Sequence, residues 1–568
     1  MIIFETKFNL HYTLLGILPF KIFGNSMKHR ILILVLMVTF ASCRQPHRVE
    51  YLIKAEKVYT VDNEFCITNA IVVDKGKIVA TGNFETLKKQ YKPDSILDYS
   101  NKYIYPGLID AHCHFFGYGE MLENQWLGGA RSWKEVVEQL KKNYQHHPTN
   151  WILGRGWDQN QWDEKSMPDR ELLDQYFPDV PVYLVRVDGH CAVVNSKALQ
   201  MANVTENTKI NGGKIELRDG KPSGLLFDNA KEYMRSFVPK PSDADLERQL
   251  LRAQADCYGV GLTSVTDAGL PFRKIRLLDS LQRSGKINIH VNAMLEPEPE
   301  NLHWILEGKE RFNPKLTVKF IKLYADGALG SRGALLFEPY SDAPNHTGIL
   351  VTSEDSLRVV CRLAVENQFS VATHCIGDRA VNIILNIYSE FLKPGNDLRW
   401  RIEHAQVVQT ADFRRFGDFA VIPSIQPTHA ISDMQWAERR LGNRVSNAYA
   451  YQQLLQQNGW LAAGSDFPIE SINPLEGFCA AVFRKNREGR PENGFQPENA
   501  LSRKEALYAM TVWAAKAGFD EANRGSLEVG KVADWVVLNV DLLQASQIEI
   551  LNSKVFATYV DGQRVFGE

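Results

Sequence analysis

Two histidines, His112 and His114, close the stretch IYPGLIDAHCH. Side chains alternate faces along a strand, so residues i and i+2 point the same way and both imidazoles would reach into one space. A His-x-His pair is a weak signal by itself, because lone histidines are often hydrogen-bonded core residues. It becomes a metal site only if other segments supply further ligands. The ends of later apolar runs do. KFIKLYADG gives Lys322 and then Asp326, VATHCIGD gives His374, RIEHAQ gives His404, and LAAGSDFP gives Asp466. Six ionisable residues (His112, His114, Lys322, His374, His404, Asp466) therefore fall at strand ends. Imidazole nitrogen and carboxylate oxygen together suit a divalent metal, zinc above all.

These residues need a scaffold that gathers strand ends. Apolar runs suited to strands cover Ile104–Asp110, Leu262–Thr266, Ile287–Met294, Val318–Leu323, Phe369–Thr373, Leu398–Ile402, Phe419–Ser424 and Gly459–Ala463. Amphipathic stretches such as DLERQLLRAQADCYG and SEDSLRVVCRLAVENQ lie between several of them. Eight strand–helix units predict an α/β fold, a TIM-like (β/α)8 barrel, whose C-terminal rim carries the chemistry. A doubly wound sheet is the alternative. Both chain ends read as short strands with turns, VDKGK near the start and VDGQR near the end, and predict one small β-sandwich domain made from both. The expected division is a leader over 1–42, β-sandwich parts over 43–103 and 521–568, and the barrel over 104–520. The gap between the first two barrel strands is far too long for a loop. It holds NWILGRGWDQNQW and PVYLVRVDGHCAVVNSKAL, so residues 120–245 are expected to fold as an inserted cover over the active rim.

At 568 residues with a net charge of -2, the chain offers no basic surface for nucleic acid. From Met27, MKHRILILVLMVTFASC has a basic start, an apolar core too short for an ordinary membrane span, small residues and then Cys43. This resembles a bacterial lipoprotein signal and predicts a lipid-anchored protein of the cell envelope, periplasmic or at the cell surface. Eight cysteines show no disulfide spacing, and Cys113 and Cys375 are expected as buried small hydrophobes. A homo-oligomer stays open.

The order HCH, strand-four lysine, THC, EHA and GSD resembles that of the amidohydrolase superfamily. LYADGALGSRGA, QPTHAISD and GSDFPIESINPL, with GWDQNQW and VDGHCAVVNSKAL, resemble its amidohydrolase-3 (YtcJ-like) branch, which includes N-substituted formamide deformylases. The resemblance implies that His112, His114 and Asp466 bind one metal and that Asp466 is also the general base. It assigns His374 and His404 to a second metal or to substrate polarisation. Lys322 stands where many relatives carry a carboxylated lysine bridging two ions, so one or two Zn2+ are implied. The activity implied is hydrolysis of an amide-type C–N bond in a small-molecule N-acyl or N-formyl compound. Esters, lactones or carbamates on the same centre are an alternative, and a non-catalytic lipid-anchored binding protein is another. His190, His429, Asp326, Trp157 and Arg332 are the residues expected at the substrate.

Overall fold

The computed structural model describes residues 46–567 apart from 124, 147, 188, 190, 211–212 and 309–310. Three sheets organise them. The terminal sheet has seven strands, and its middle strand, Tyr91–Pro106, pairs in parallel with His47–Tyr59 and antiparallel with Trp535–Leu538. The two chain ends are thus zipped side by side. Both predicted hairpin turns are present, with left-handed backbone at Lys75 and Gly76 and again at Asp561 and Gly562. Such paired positive φ values match the right-handed twist of the flanking strands.

The barrel sheet has eight parallel strands: Leu108–Cys113, Leu262–Leu270, His290–Leu295, Leu316–Tyr324, Ser370–Cys375, Arg401–His404, Ile422–Ile425 and Ala462–Ala463. Its first strand differs from the expected Ile104–Asp110. Ile104–Pro106 complete the terminal-sheet strand, and the barrel strand starts only at Leu108. Pro106 has no amide hydrogen for a ladder. At Gly107 a Cβ would lie 2.2 Å from Thr263 Oγ1, so the crossing between sheets needs glycine. The eighth strand is only two residues long. The seam back to strand one closes instead through the Asp466 N–H donating to the His112 carbonyl (2.7 Å) and the His114 N–H donating to the Phe467 carbonyl (2.8 Å).

Between barrel strands one and two the chain builds a third sheet of six strands, from Gln125–Trp126 to Lys221–Asp228. It has its own apolar core, to which the helix Trp133–His146 contributes Val136, Val137 and Leu140. All seven described cysteines are free, and Cys113 and Cys375 are buried. No helix among the described residues is long and apolar enough to cross a membrane. The apolar segment before Cys43, and Cys43 itself, lie outside the described residues.

Candidate metal centre

Strand alternation puts Asp110 and His112 on one face, and both are buried. Asp110 clamps strand one to strand eight. It accepts the His112 N–H (3.0 Å), the Ser465 N–H (3.1 Å) and the Ser465 hydroxyl (2.6 Å). Gly464 permits this approach, since a Cβ there would lie 2.3 Å from the His112 nitrogen.

His112 is oriented from below. Its Nδ1 lies 2.5 Å from Glu403 Oε2, and Arg401 grips Glu403 with two bonds of 2.6 and 3.0 Å. Arg401 also donates to the Ala111 carbonyl and to Ser424 Oγ. Burial would raise the Glu403 pKa, but Arg401 and His112 outweigh it and hold the carboxyl well below its ordinary range. Glu403 is therefore an anion that accepts the Nδ1 proton, which leaves the His112 Nε2 lone pair facing the rim.

Glu403 and His404 are adjacent, yet both reach His112; the His112 and His404 rings are 5.0 Å apart. Left-handed backbone at His404 (φ 73°) breaks the two-residue alternation and brings the second ring inward. Asp466 has φ 63°. Such strain costs about 1–3 kcal/mol per residue and is kept where surrounding structure enforces it.

These turns converge on Asp466. Its Oδ1 lies 3.1 Å from His114 Nε2 and 3.6 Å from His112 Nε2, and its Oδ2 lies 3.3 Å from His429 Nε2. Two triads capable of holding a metal share it, His112/His114/Asp466 and His404/His429/Asp466. His374 adjoins, with its ring 4.6 Å from that of His404. Four buried atoms here have no hydrogen-bond partner: His112 Nε2, His374 Nε2, His404 Nδ1 and Asp466 Oδ1. Leaving such atoms unpaired is expensive unless something else binds them.

The charges suit a cation. Burial brings His112 down to about 4 and His374 to about 3, and holds His404 well below the usual imidazole value. All three are neutral near neutral pH, and each has a lone pair to offer a cation. Burial would raise Asp466, but the neighbouring His114 and His429 outweigh it and keep the carboxylate ionised. Burial lowers His429, but Asp466 and Glu470 prevail and hold it well above the ordinary value. Lys322 is buried beneath this group, its Nζ 4.7 Å from the centre of the Tyr324 ring; among the described residues it makes no hydrogen bond or ion pair. Burial lowers its pKa. A divalent ion fits this donor set.

The other residues suggested for substrate contact are placed differently. Asp326 spends its carboxylate on the amides of Leu335, Ile376 and Gly377, fixing the loops after strands four and five. Arg332 pairs with Asp342. Trp157 is buried in the core of the inserted sheet and donates to the Leu184 carbonyl. His429 joins the metal-capable cluster itself, and His190 lies outside the described residues. The sequence motifs do not mark Asp110, Arg401 or Glu403, although Asp110 shares the strand face of His112.

A model of the amidohydrolase family matches residues 95–566. The chain belongs to this family. It is 32% identical over 523 residues to the protein YtcJ of Bacillus subtilis (strain 168), covering 90% of this chain and 98% of that protein. It is 26% identical over 543 residues to the N-substituted formamide deformylase of Arthrobacter pascens, covering 89% and 96%. Among solved structures it resembles an uncharacterized metal-dependent hydrolase from Pyrococcus horikoshii OT3, with a TM-score of 0.75, 30% identity, and coverage of 88% of this chain and 99% of that one. With the clustered His and Asp ligands, family membership makes this protein a metal-dependent amidohydrolase acting on carbon–nitrogen bonds other than peptide bonds.

Proposed function

We propose that this amidohydrolase cleaves an N-acyl or N-formyl amide, using zinc held by His112, His114 and Asp466. The observation that carries the reading is the set of unpartnered buried atoms on His112, His374, His404 and Asp466. Two ligands at about 2.0–2.2 Å from a tetrahedral zinc are roughly 3.3 Å apart; the 3.1 and 3.6 Å separations of His114 and His112 from Asp466 bracket that value. His374 and His404 would serve a second ion or the substrate carbonyl. Lys322, buried and unpaired, supports a carboxylated lysine, which would replace a costly isolated cation by an oxygen ligand.

The ion, when bound, supplies Lewis-acid polarisation of a carbonyl and an acidified water. The protein does the rest. Glu403 fixes the His112 ring so that its Nε2 points at the rim. Asp466, held ionised, accepts the proton of the attacking water and returns it to the departing nitrogen. His429, held protonated between Asp466 and Glu470, keeps the carboxylate in place.

The test is a screen of metal-loaded protein over N-formyl and N-acyl compounds beside matched esters and lactones. Turnover of the amides in preference to the esters is expected. Esterase activity without amide cleavage would overturn the substrate class. From the sequence between Met27 and Cys43 we further propose that the mature chain begins at Cys43, lipid-anchored in the cell envelope. An intact mass showing an unmodified N-terminus would reject that.

A further inference from the structure

The barrel rim and the inserted sheet enclose a cavity of about 480 Å³ that reaches His114, a size that suits a small ligand. Its rim wall carries Asp267, near the end of barrel strand two. Asp267 keeps only 1% of its surface. Its Oδ2 accepts the Phe116 N–H (2.9 Å), and among the described residues its Oδ1 accepts nothing. A buried carboxylate oxygen is costly to leave unbonded. Burial raises Asp267 to about 6, with His114, Lys274 and Lys322 opposing, so it is an anion near neutral pH.

Two residues on, Gly269 also lines the cavity, with φ 117°. A Cβ there would lie 3.3 Å from the Tyr324 hydroxyl and 3.5 Å from Glu296 Oε1. Oxygens from the ends of strands two, three and four therefore gather at one edge of the cavity. Among the described residues the Tyr324 hydroxyl makes no hydrogen bond, and neither Asp267 nor Glu296 forms an ion pair. The cavity's cations are placed otherwise. Arg235 pairs with Glu120, Lys231 pairs with Glu232, and Lys274 lies 5.2 Å from the centre of the Phe116 ring. Arg155 belongs to the insert side.

Amide hydrolysis makes two products of opposite charge near neutral pH. The C–N bond breaks with its electron pair on nitrogen. The water oxygen stays on the acyl carbon, and both water protons end on the nitrogen. The acyl half leaves as a carboxylate and the other half as an ammonium ion. Oxygen acceptors beside the metal cluster repel the first and hold the second, and an N–H in contact with Oδ1 outweighs Lys274 at longer range.

We propose that this cavity is the leaving-group subsite, where Asp267 Oδ1 accepts the N–H of a secondary amide and then holds the primary ammonium ion released from it. This rests on the amide-hydrolase reading above and adds which half of the substrate faces the insert.

Full-length, metal-loaded protein is titrated calorimetrically with hexylamine and with 1-hexanol at neutral pH. Hexylamine should bind at least tenfold more tightly. Asp267→Asn keeps an oxygen for the Phe116 amide but loses the charge. It should weaken hexylamine at least tenfold, with metal content and 1-hexanol affinity unchanged. If that variant loses metal or melts early, a crystal structure of the wild type with hexylamine decides, and the nitrogen is expected within hydrogen-bond distance of Asp267. No saturable hexylamine binding, hexanol binding as tight, affinity unmoved by Asp267→Asn, or a nitrogen seated away from Asp267 would each overturn the inference. The readout does not depend on turnover. Hexylamine held by Asp267 in a protein that cleaves no amide would sink the amide reading alone; amide cleavage with hexylamine indifferent to Asp267 would sink this one alone.

Discussion

The barrel carries a buried cluster of ionisable groups at each end, and the two differ in how their charge is answered. At the base, His290 Nε2 lies 3.4 Å from Asp534 Oδ2 and 3.6 Å from Asp561 Oδ1, a triad as compact as those at the rim. The His290 nitrogens also lack hydrogen bonds. Proximity and orphaned atoms therefore do not separate the two ends. Charge does. At the base Lys315 sits 2.6 Å from Asp561, and Arg524, paired with Asp520, also approaches Asp534 at 3.6 Å. Both cations would repel a metal ion. At the rim Arg401 is spent on Glu403, and Lys322 makes no ion pair among the described residues. Asp466 faces His429, held protonated, but also His112 and His404, kept neutral by burial. The rim thus offers several neutral imidazole nitrogens with no other partner, whereas the base offers only those of His290 beside two cations.

The sharpest way to break this comparison is Asp466→Asn. Losing a general acid–base group lowers turnover roughly 10²–10⁴-fold, measured by pH–rate profiles at matched metal occupancy. Near-normal turnover would remove Asp466 from the chemistry. Glu403→Gln comes next. Loss of an outer carboxylate from a histidine ligand weakens metal affinity about 10–100-fold, read by chelator competition. The same change leaves buried Arg401 without its anion and should cost roughly 3–5 kcal/mol of stability, read by denaturant unfolding.

The base should respond in the opposite pattern. Asp534→Asn disturbs the Arg524 and His290 contacts at a cost of about 1–3 kcal/mol, visible as a lower Tm, with metal content unchanged. Metal loss in that variant would show that the base is a metal site as well. Smallest of all is Arg332→Ala. It breaks an exposed pair with Asp342, and the expected stability change is at most about 1 kcal/mol. A tenfold fall in kcat/KM would show instead that Arg332 reaches the substrate.

How much of this was legible follows from strand periodicity. His112, His114, His374 and Asp466 stand where strand ends must meet in a barrel, and short motifs mark them. Lys322 was readable for the same reason. Glu403 was not, because alternation turns it away from His404, and only the left-handed backbone at His404 lets both face His112. No residue type announces that turn; the strain is imposed by tertiary packing. The sequence alone puts the start of strand one too early, because Ile104–Pro106 are as apolar as Leu108–Ile109 and only pairing with Trp535–Leu538 assigns them to the terminal sheet. Trp157 shows the limit of composition. An aromatic in a long insert could line a pocket or build a core, and the pairing of the inserted strands places it in a core.

The central claim is that the rim, and not the base, holds the ion. Elemental analysis of reconstituted wild-type protein beside His112→Asn and His290→Gln tests it most directly. The account predicts at least one divalent ion per chain in the wild type, a clear loss in His112→Asn, and full retention in His290→Gln. A wild type that takes up no metal, or metal that leaves with His290 and stays without His112, would contradict it.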